Sequence, residues 1–298
     1  MLDRSHLKQK FGERCLFDEP AANFTTYKAG GRAEVVVSPS TTEELLWLAG
    51  WCRAAGTPFL VLGRGSNVLV SDRGLPGVTA LTGRLSGITV GDGWAEAQAG
   101  ALWDDLARST AEAGLGGLEK TSGIPGSVGG AAHMNAGAFG QETFDRLASV
   151  EAFDRAGAIV KLLKKDIRHG YRRAEGLDGL TILSVRFELQ PADAAVLVQD
   201  RSCVMAARET KQPLDHPSAG SVFKRPPGDF ASRLIDAAGL KGRRIGGAQV
   251  SEKHAGFIIN AGGATAADIY ALMQEVRAAV KEKSGVSLEL EQILLGEF

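Results

Sequence analysis

Short apolar runs alternate with polar and glycine-rich breaks over the first two thirds of the chain, and longer helical stripes follow in the last third. Residues 33–37 (AEVVV) are a run of strand formers closed by Pro39. Leu45, Leu48 and Cys52 fall on one helical face between a Thr41–Glu44 capping box and Gly56, which predicts an amphipathic helix. Residues 59–62 and 68–70 read as strands, as do 79–81, 87–90 and 95–99; a helix is predicted from about 102 to 113, stopped by Gly114. Strands return at 150–153, 159–163 and 181–189. From about Val196 the period is helical: residues 196–209, a segment that Asp229 can cap and Gly239 ends, and a stripe of Ile269, Leu272, Met273, Val276 and Val280 between a Thr265–Asp268 capping box and Gly285. A final strand is expected over 287–295, interrupted by Glu289 and Glu291. The opening strand, helix, strand order makes a small α/β unit, and the change of period divides the chain near residue 195.

Residues 122–140, SGIPGSVGGAAHMNAGAFG, fit neither period. Backbone must form much of their surface. Glycine tolerates positive φ and close approach, so successive N–H groups can converge on an anion. Ordering each glycine costs roughly 0.5–1 kcal/mol against alanine, a cost that a bound diphosphate would offset. A tight loop packed on a helix is the alternative, but without an apolar period the stretch is expected to make a poor core element. A second glycine loop, Gly63-Arg64-Gly65-Ser66-Asn67, separates the strands 59–62 and 68–70. It does not open a helix, as a GxGxxG fingerprint would, and no GxxxxGK[ST] loop is present. Two such loops suggest a dinucleotide held between two lobes by backbone amides.

Composition narrows the setting. A chain of 298 residues can form two or three domains. The lack of a run of about 18 apolar residues, and the charges in MLDRSHLKQKFGERC, argue against a membrane protein or a signal peptide. Cys15, Cys52 and Cys203 are isolated, which argues against disulfides or a zinc site and for a reducing, cytoplasmic compartment. A net charge of -1 gives no global attraction to nucleic acid. Between Arg201 and Lys253, ten Lys/Arg face five Asp/Glu, which suits either an acidic ligand or a solvated basic face. His6, His133, His169 and His216 lack metal-ligand spacing, and no metal is expected.

GRGSNVLV, GIPGSVGGAAHMNAGAFG, Tyr171-Arg172, the RxxK of Arg208 and Lys211, AGSVFK at 219–224, IGGAQVSEKHAGF at 245–257 and LELE at 288–291 resemble, in the same order, the UDP-N-acetylenolpyruvoylglucosamine reductase family. They cover most of the chain, and the short interval from Arg172 to the helix carrying Cys203 resembles the family's shorter subclass. The resemblance implies an α+β protein with a two-lobed FAD-binding fold of the vanillyl-alcohol-oxidase type and a C-terminal α/β substrate-binding domain. The lobes would be residues 1–78 and 79–195, and the substrate domain 196–298, with the last strand returning to the active site. It also implies bound FAD, NADPH as co-substrate, and a UDP-sugar substrate in peptidoglycan precursor synthesis, with no nucleic-acid, membrane or obligate protein partner. By the same resemblance the cofactor contacts are Gly63, Arg64, Gly65, Ser66, Asn67, Gly123, Gly126, Ser127, Gly129, Gly130, Asn135, Gly137 and Ala138. Substrate contacts are Tyr171, Arg208, Lys211, Lys224, Arg225 and His254, and catalysis falls to Arg172, Ser221 and Glu291. Two positions depart from the pattern: Arg225 and Ile293 stand where the family usually has Asn and Arg.

The chemistry agrees with those three residues. Reducing an enol ether conjugated to a carboxylate needs a hydride at one alkene carbon and a proton at the other. Arg172 has the planar fork to neutralise the carboxylate. Ser221, after Ala219-Gly220 and before Lys224, can present a hydroxyl beside a cation, or can be an ordinary turn residue. Glu291 is costly to bury in an apolar strand unless paired, or else faces solvent. The rivals are a flavin oxidase of the same fold acting on another sugar or alcohol, and a non-enzymatic nucleotide-binding module.

Overall fold

A computed structural model describes residues 2–298. Two compact units emerge. The first comprises residues up to Leu16 with Val35–Arg64 and Gly77–Arg208, and the second Phe17–Glu34, Gly65–Pro76 and Glu209–Phe298.

In the first unit, five antiparallel strands lie in the spatial order Ile159–Leu163, Leu147–Phe153, Thr181–Glu188, Trp94–Gln98, Ile88–Gly91. Val185 faces Val150 on one side and Ala97 on the other, so apolar positions line up across three strands. Register shifts at Leu147/Ser149 and Glu151/Ala152 explain why burial does not alternate strictly along Leu147–Phe153. The helix Trp103–Glu112 belongs to this core. Trp103 is fully buried, stands edge-on to Phe187 with ring centroids 5.7 Å apart, and donates its indole N–H to Thr121 Oγ1 at 2.9 Å.

The predicted strand, helix, strand start is present. Thr42–Ala54 buries Leu45, Leu48 and Cys52, and Phe59–Leu62 runs parallel to the end of Leu75–Leu81. Only half of the expected capping box forms. Thr41 accepts the Glu44 N–H, while the Glu44 carboxylate takes the Ser40 N–H at 2.7 Å and pairs with both terminal nitrogens of Arg14. Arg14 holds the Glu44 carboxyl at about 2, well below its ordinary 4.5. The folded value lies below the unfolded one, so this stabilisation is complete above pH 4.5 and is lost as pH falls towards about 2. Glu44→Gln should therefore lower stability at neutral pH by roughly 1 kcal/mol, the upper end for a partly exposed pair. Its melting temperature should converge with that of the unaltered protein in acid, and a pH-independent gap would count against the pairing.

In the second unit, the helix Ala266–Ser284 has both halves of its predicted capping box and ends on Gly285 at φ 72°. Ile269, Leu272, Met273, Val276 and Val280 are all buried, as the stripe requires. They pack in one core with Val222, Phe223, Ala248, Val250 and Ile258, the last three from the antiparallel strands Ala248–Val250 and Ile258–Asn260. Two expectations need correction. Asp229 precedes the N-cap Phe230 of the helix Ala231–Ala237 and instead pairs with Arg233. The regular final strand is only Ile293–Leu295, parallel to Val68–Val70; residues before it make an isolated bridge, Phe223 to Leu290. Among the described residues no helix is long and apolar enough to cross a membrane.

Candidate active site

The glycine stretch 122–140 is not loop throughout. Val128–His133 forms a short helix with Ser127 as N-cap, and Val128, Ala131 and Ala132 are buried. Small residues fit this core where an apolar stripe would not. Gly129 donates to Ala99 O at 2.8 Å, and a Cβ on it would lie 2.8 Å from the Ala99 Cβ. Residues 137–142 then close as a two-strand hairpin through Phe139 and Gly140, both at positive φ.

The first glycine loop begins against this segment. A Cβ on Gly63 would meet Ser127 Oγ at 2.1 Å, so a side chain there would displace the hydroxyl that accepts the Gly130 N–H at the start of the helix. Among the described residues, the amides of Arg64, Gly65, Ser66 and Asn67 donate no backbone hydrogen bond. In the second loop, Gly123 at φ 75° gives its N–H to Asp104 at 2.7 Å. A Cβ there would approach Met205 Sδ at 2.7 Å and Arg208 Cδ at 2.9 Å. Arg208 is thus a buried cation beside the glycine loop; burial pushes its pKa down and Asp104 opposes the shift.

Arg172 sits at φ 55°, a left-handed conformation uncommon for arginine. Its guanidinium donates to Gly137 O at 2.8 Å and Asn135 O at 3.4 Å, lies 3.9 Å from the Glu142 carboxylate, and stands 4.9 Å from the Tyr171 ring centroid. The Asn135 side chain is engaged by the protein itself, donating to Glu142 Oε2 and Gly170 O and accepting the Phe144 N–H. The tip of the glycine stretch and Tyr171-Arg172 are therefore one structure.

In the second unit, Ser221 to Lys224 runs between two other segments. Val222 donates to Gly256 O at 2.9 Å on one side, and on the other Glu291 donates to Val222 O at 2.8 Å and Lys224 to Glu289 O at 2.9 Å. Ser221 pairs with Phe257, and Asn67 donates its side-chain amide to Glu291 O at 3.1 Å. Asn67, Ser221 and Glu291, far apart in sequence, thus share one patch of this unit. Lys224 Nζ is 3.6 Å from the Glu289 carboxylate, and the exposed Arg225 lies over the Phe230 ring at 4.5 Å. His254 accepts the Gly256 N–H at Nδ1, and burial pushes its pKa down, which favours the neutral ring. Lys211 is exposed at the end of the helix Ala194–Lys211. Sequence reading missed Asp104, which holds the Gly123 amide.

Two family models match: one described as FAD binding domain over residues 33–163, and one described as UDP-N-acetylenolpyruvoylglucosamine reductase, C-terminal domain, over 212–295. The class is that of reductases built on an FAD-binding domain, and the α+β expectation stands. The chain is 43% identical over 282 residues to the UDP-N-acetylenolpyruvoylglucosamine reductase of Lactococcus lactis subsp. cremoris (strain SK11) and 44% identical to that of Streptococcus pneumoniae (strain JJA), covering 94% of each chain in both comparisons. It superposes on the crystal structure of the Thermus caldophilus UDP-N-acetylenolpyruvylglucosamine reductase with a TM-score of 0.80 at 37% identity, covering 95% of this chain and 98% of that one. The chain belongs to the UDP-N-acetylenolpyruvoylglucosamine reductase family.

Proposed function

We propose that this chain reduces the enolpyruvyl group of UDP-N-acetyl-3-O-(1-carboxyvinyl)-glucosamine to give UDP-N-acetylmuramate, with FAD bound and NADPH as electron donor, in the cytoplasm. The observation that carries the chemical assignment is the adjacency of the Ser221 segment to Glu291, a hydroxyl and a carboxyl offered by neighbouring segments of one unit. The unbonded amides at 64–67 and the Gly63–Ser127 approach fit a diphosphate group, which supports FAD at the two glycine loops. The division into cofactor lobes 1–78 and 79–195 and a substrate domain 196–298 belongs to the same reading.

When bound, FAD supplies hydride chemistry that no side chain can. Hydride addition at the terminal methylene of the substrate leaves charge on its carboxylate, which Arg172 neutralises. Ser221 gives its proton to the carbon that bears the ether oxygen, and Lys224 lowers the cost of the resulting charge. Glu291 stabilises the enediolate-like substrate intermediate by hydrogen bonding or steers the proton from Ser221. Lys211, Lys224, Arg225 and His254 serve the sugar nucleotide, and Arg208 and Tyr171 complete the substrate contacts.

The purified protein should be yellow, bleach with NADPH, and regain its colour without oxygen when the enolpyruvyl sugar nucleotide is added. Recovery only with oxygen would indicate an oxidase, and no bleaching a binding module. Gly63→Val, which drives a side chain into Ser127, should give folded but colourless protein. Retention of stoichiometric flavin by that variant would remove the first loop from the cofactor site.

A further inference from the structure

Tyr27 is completely buried, and the reading above gives it no role. Its hydroxyl lies 2.9 Å from Gln292 Oε1 and donates to it. Burial pushes the phenol pKa well up, so Tyr27 stays a neutral donor at any physiological pH. Gln292 is only 4% exposed, and its amide nitrogen donates to Ala219 O at 2.9 Å and Gly220 O at 3.3 Å. The amide orientation follows from its partners: two carbonyls need donors and a phenol needs an acceptor. Tyr27 is itself pinned, since its backbone carbonyl accepts from Asn260 Nδ2 at 3.1 Å, and Asn260 Oδ1 accepts the N–H groups of Gly262 and Ala264.

The position of this relay gives it meaning. Gln292 directly follows Glu291, and Gly220, at φ 72°, directly precedes Ser221. The backbone bonds from Glu291 to Val222 and from Lys224 to Glu289 hold the two segments together downstream of Ser221. The Ala219 and Gly220 carbonyls lie upstream of those bonds and are held by the Gln292 amide. One side chain therefore ties the residue after the carboxyl group to the turn before the hydroxyl. We propose that Gln292, oriented by Tyr27, is a positioning residue that fixes the Ser221 hydroxyl relative to Glu291 for proton delivery. This rests on the roles of Ser221 and Glu291 given above. A misplacement of about 1 Å in a reacting group is worth on the order of 10² in rate, so the relay has enough leverage to be measured.

The test uses flavin-loaded enzyme and rapid mixing. Gln292→Met keeps the volume and removes both polar functions. It should bleach normally with NADPH and recolour with the enolpyruvyl sugar nucleotide roughly 10- to 100-fold more slowly, with a raised solvent deuterium isotope effect on recolouring as proton delivery becomes limiting. Tyr27→Phe, which leaves the Gln292 contacts to Ala219 and Gly220 in place, should move both readouts the same way by a smaller factor. The double variant should be no slower than Gln292→Met, because both residues act through one contact. Unchanged recolouring and isotope effect in Gln292→Met, or equal slowing of bleaching and recolouring, overturns the proposal. Where Gln292→Met fails to hold flavin, Tyr27→Phe decides: slowed recolouring with a raised isotope effect supports the relay, and unchanged behaviour overturns it. Ser221→Ala and Glu291→Gln run alongside as controls. If they recolour normally the underlying reading fails, whereas slow controls with a normal Gln292→Met sink the relay alone.

Discussion

Ser221→Ala should bleach with NADPH at the rate of the unaltered protein, and regain colour with the enolpyruvyl sugar nucleotide about 10² to 10⁴ times more slowly, the usual worth of a positioned general acid. Ser221 is half-buried, and the backbone bonds of its segment come from Val222, Lys224 and Glu291, which the substitution leaves intact. Folding and flavin content should therefore hold, so the defect will be confined to the step that needs a proton. Ser221→Cys supplies a thiol with an ordinary pKa of about 8.5 in place of the hydroxyl. It should recover part of the lost rate, with a pH dependence that the serine enzyme lacks, because the thiol empties of its proton as pH rises. Equal losses in bleaching and recolouring for Ser221→Ala would point to damage in the fold, and a normal rate of recolouring would remove Ser221 as the donor.

How far the sequence could lead is clear from particular segments. The helix Ala266–Ser284 was legible in full because its caps, stripe and terminal glycine all agree. The helix Val128–His133 was hidden because it packs glycine and alanine against Ala99, so burial there comes from small size and not from an apolar period. The basic surplus of 201–253 read as one feature, yet Arg233 pairs with Asp229, Lys241 with Asp236 and Arg243 with Glu275. Much of it is thus ordinary local ion pairing, one partner lying outside the counted segment. The order of the motifs offered candidate site residues one at a time, but not their couplings. Asn67 meets Glu291 across 224 residues and Tyr27 meets Gln292 across 265, distances at which no local pattern operates. Asp104, which holds Gly123, was invisible for the same reason: it reads as a first-turn acid of its helix.

Arg172→Lys should lower the rate of recolouring by roughly 10² to 10³ while leaving bleaching near normal, the loss expected when one preorganised electrostatic group is misaligned. The charge is kept, so the prediction turns on geometry. The Arg172 guanidinium donates to the carbonyls of Gly137 and Asn135, with its side chain only 15% exposed, and its planar five-donor fork is the geometry that pairs bidentately with a carboxylate. A lysine ammonium has three donors on one nitrogen and cannot hold the hairpin while pairing bidentately with a carboxylate. Its left-handed backbone conformation adds to the case, because a strained φ at a non-glycine residue persists only where its surroundings enforce it. Arg172→Ala should lose at least as much as Arg172→Lys and regain part of it with added guanidinium ion, since the vacated space is shaped for a planar cation. An Arg172→Lys enzyme that recolours at the unaltered rate would mean that a point charge suffices, and that the bonds to Gly137 and Asn135 only brace the hairpin.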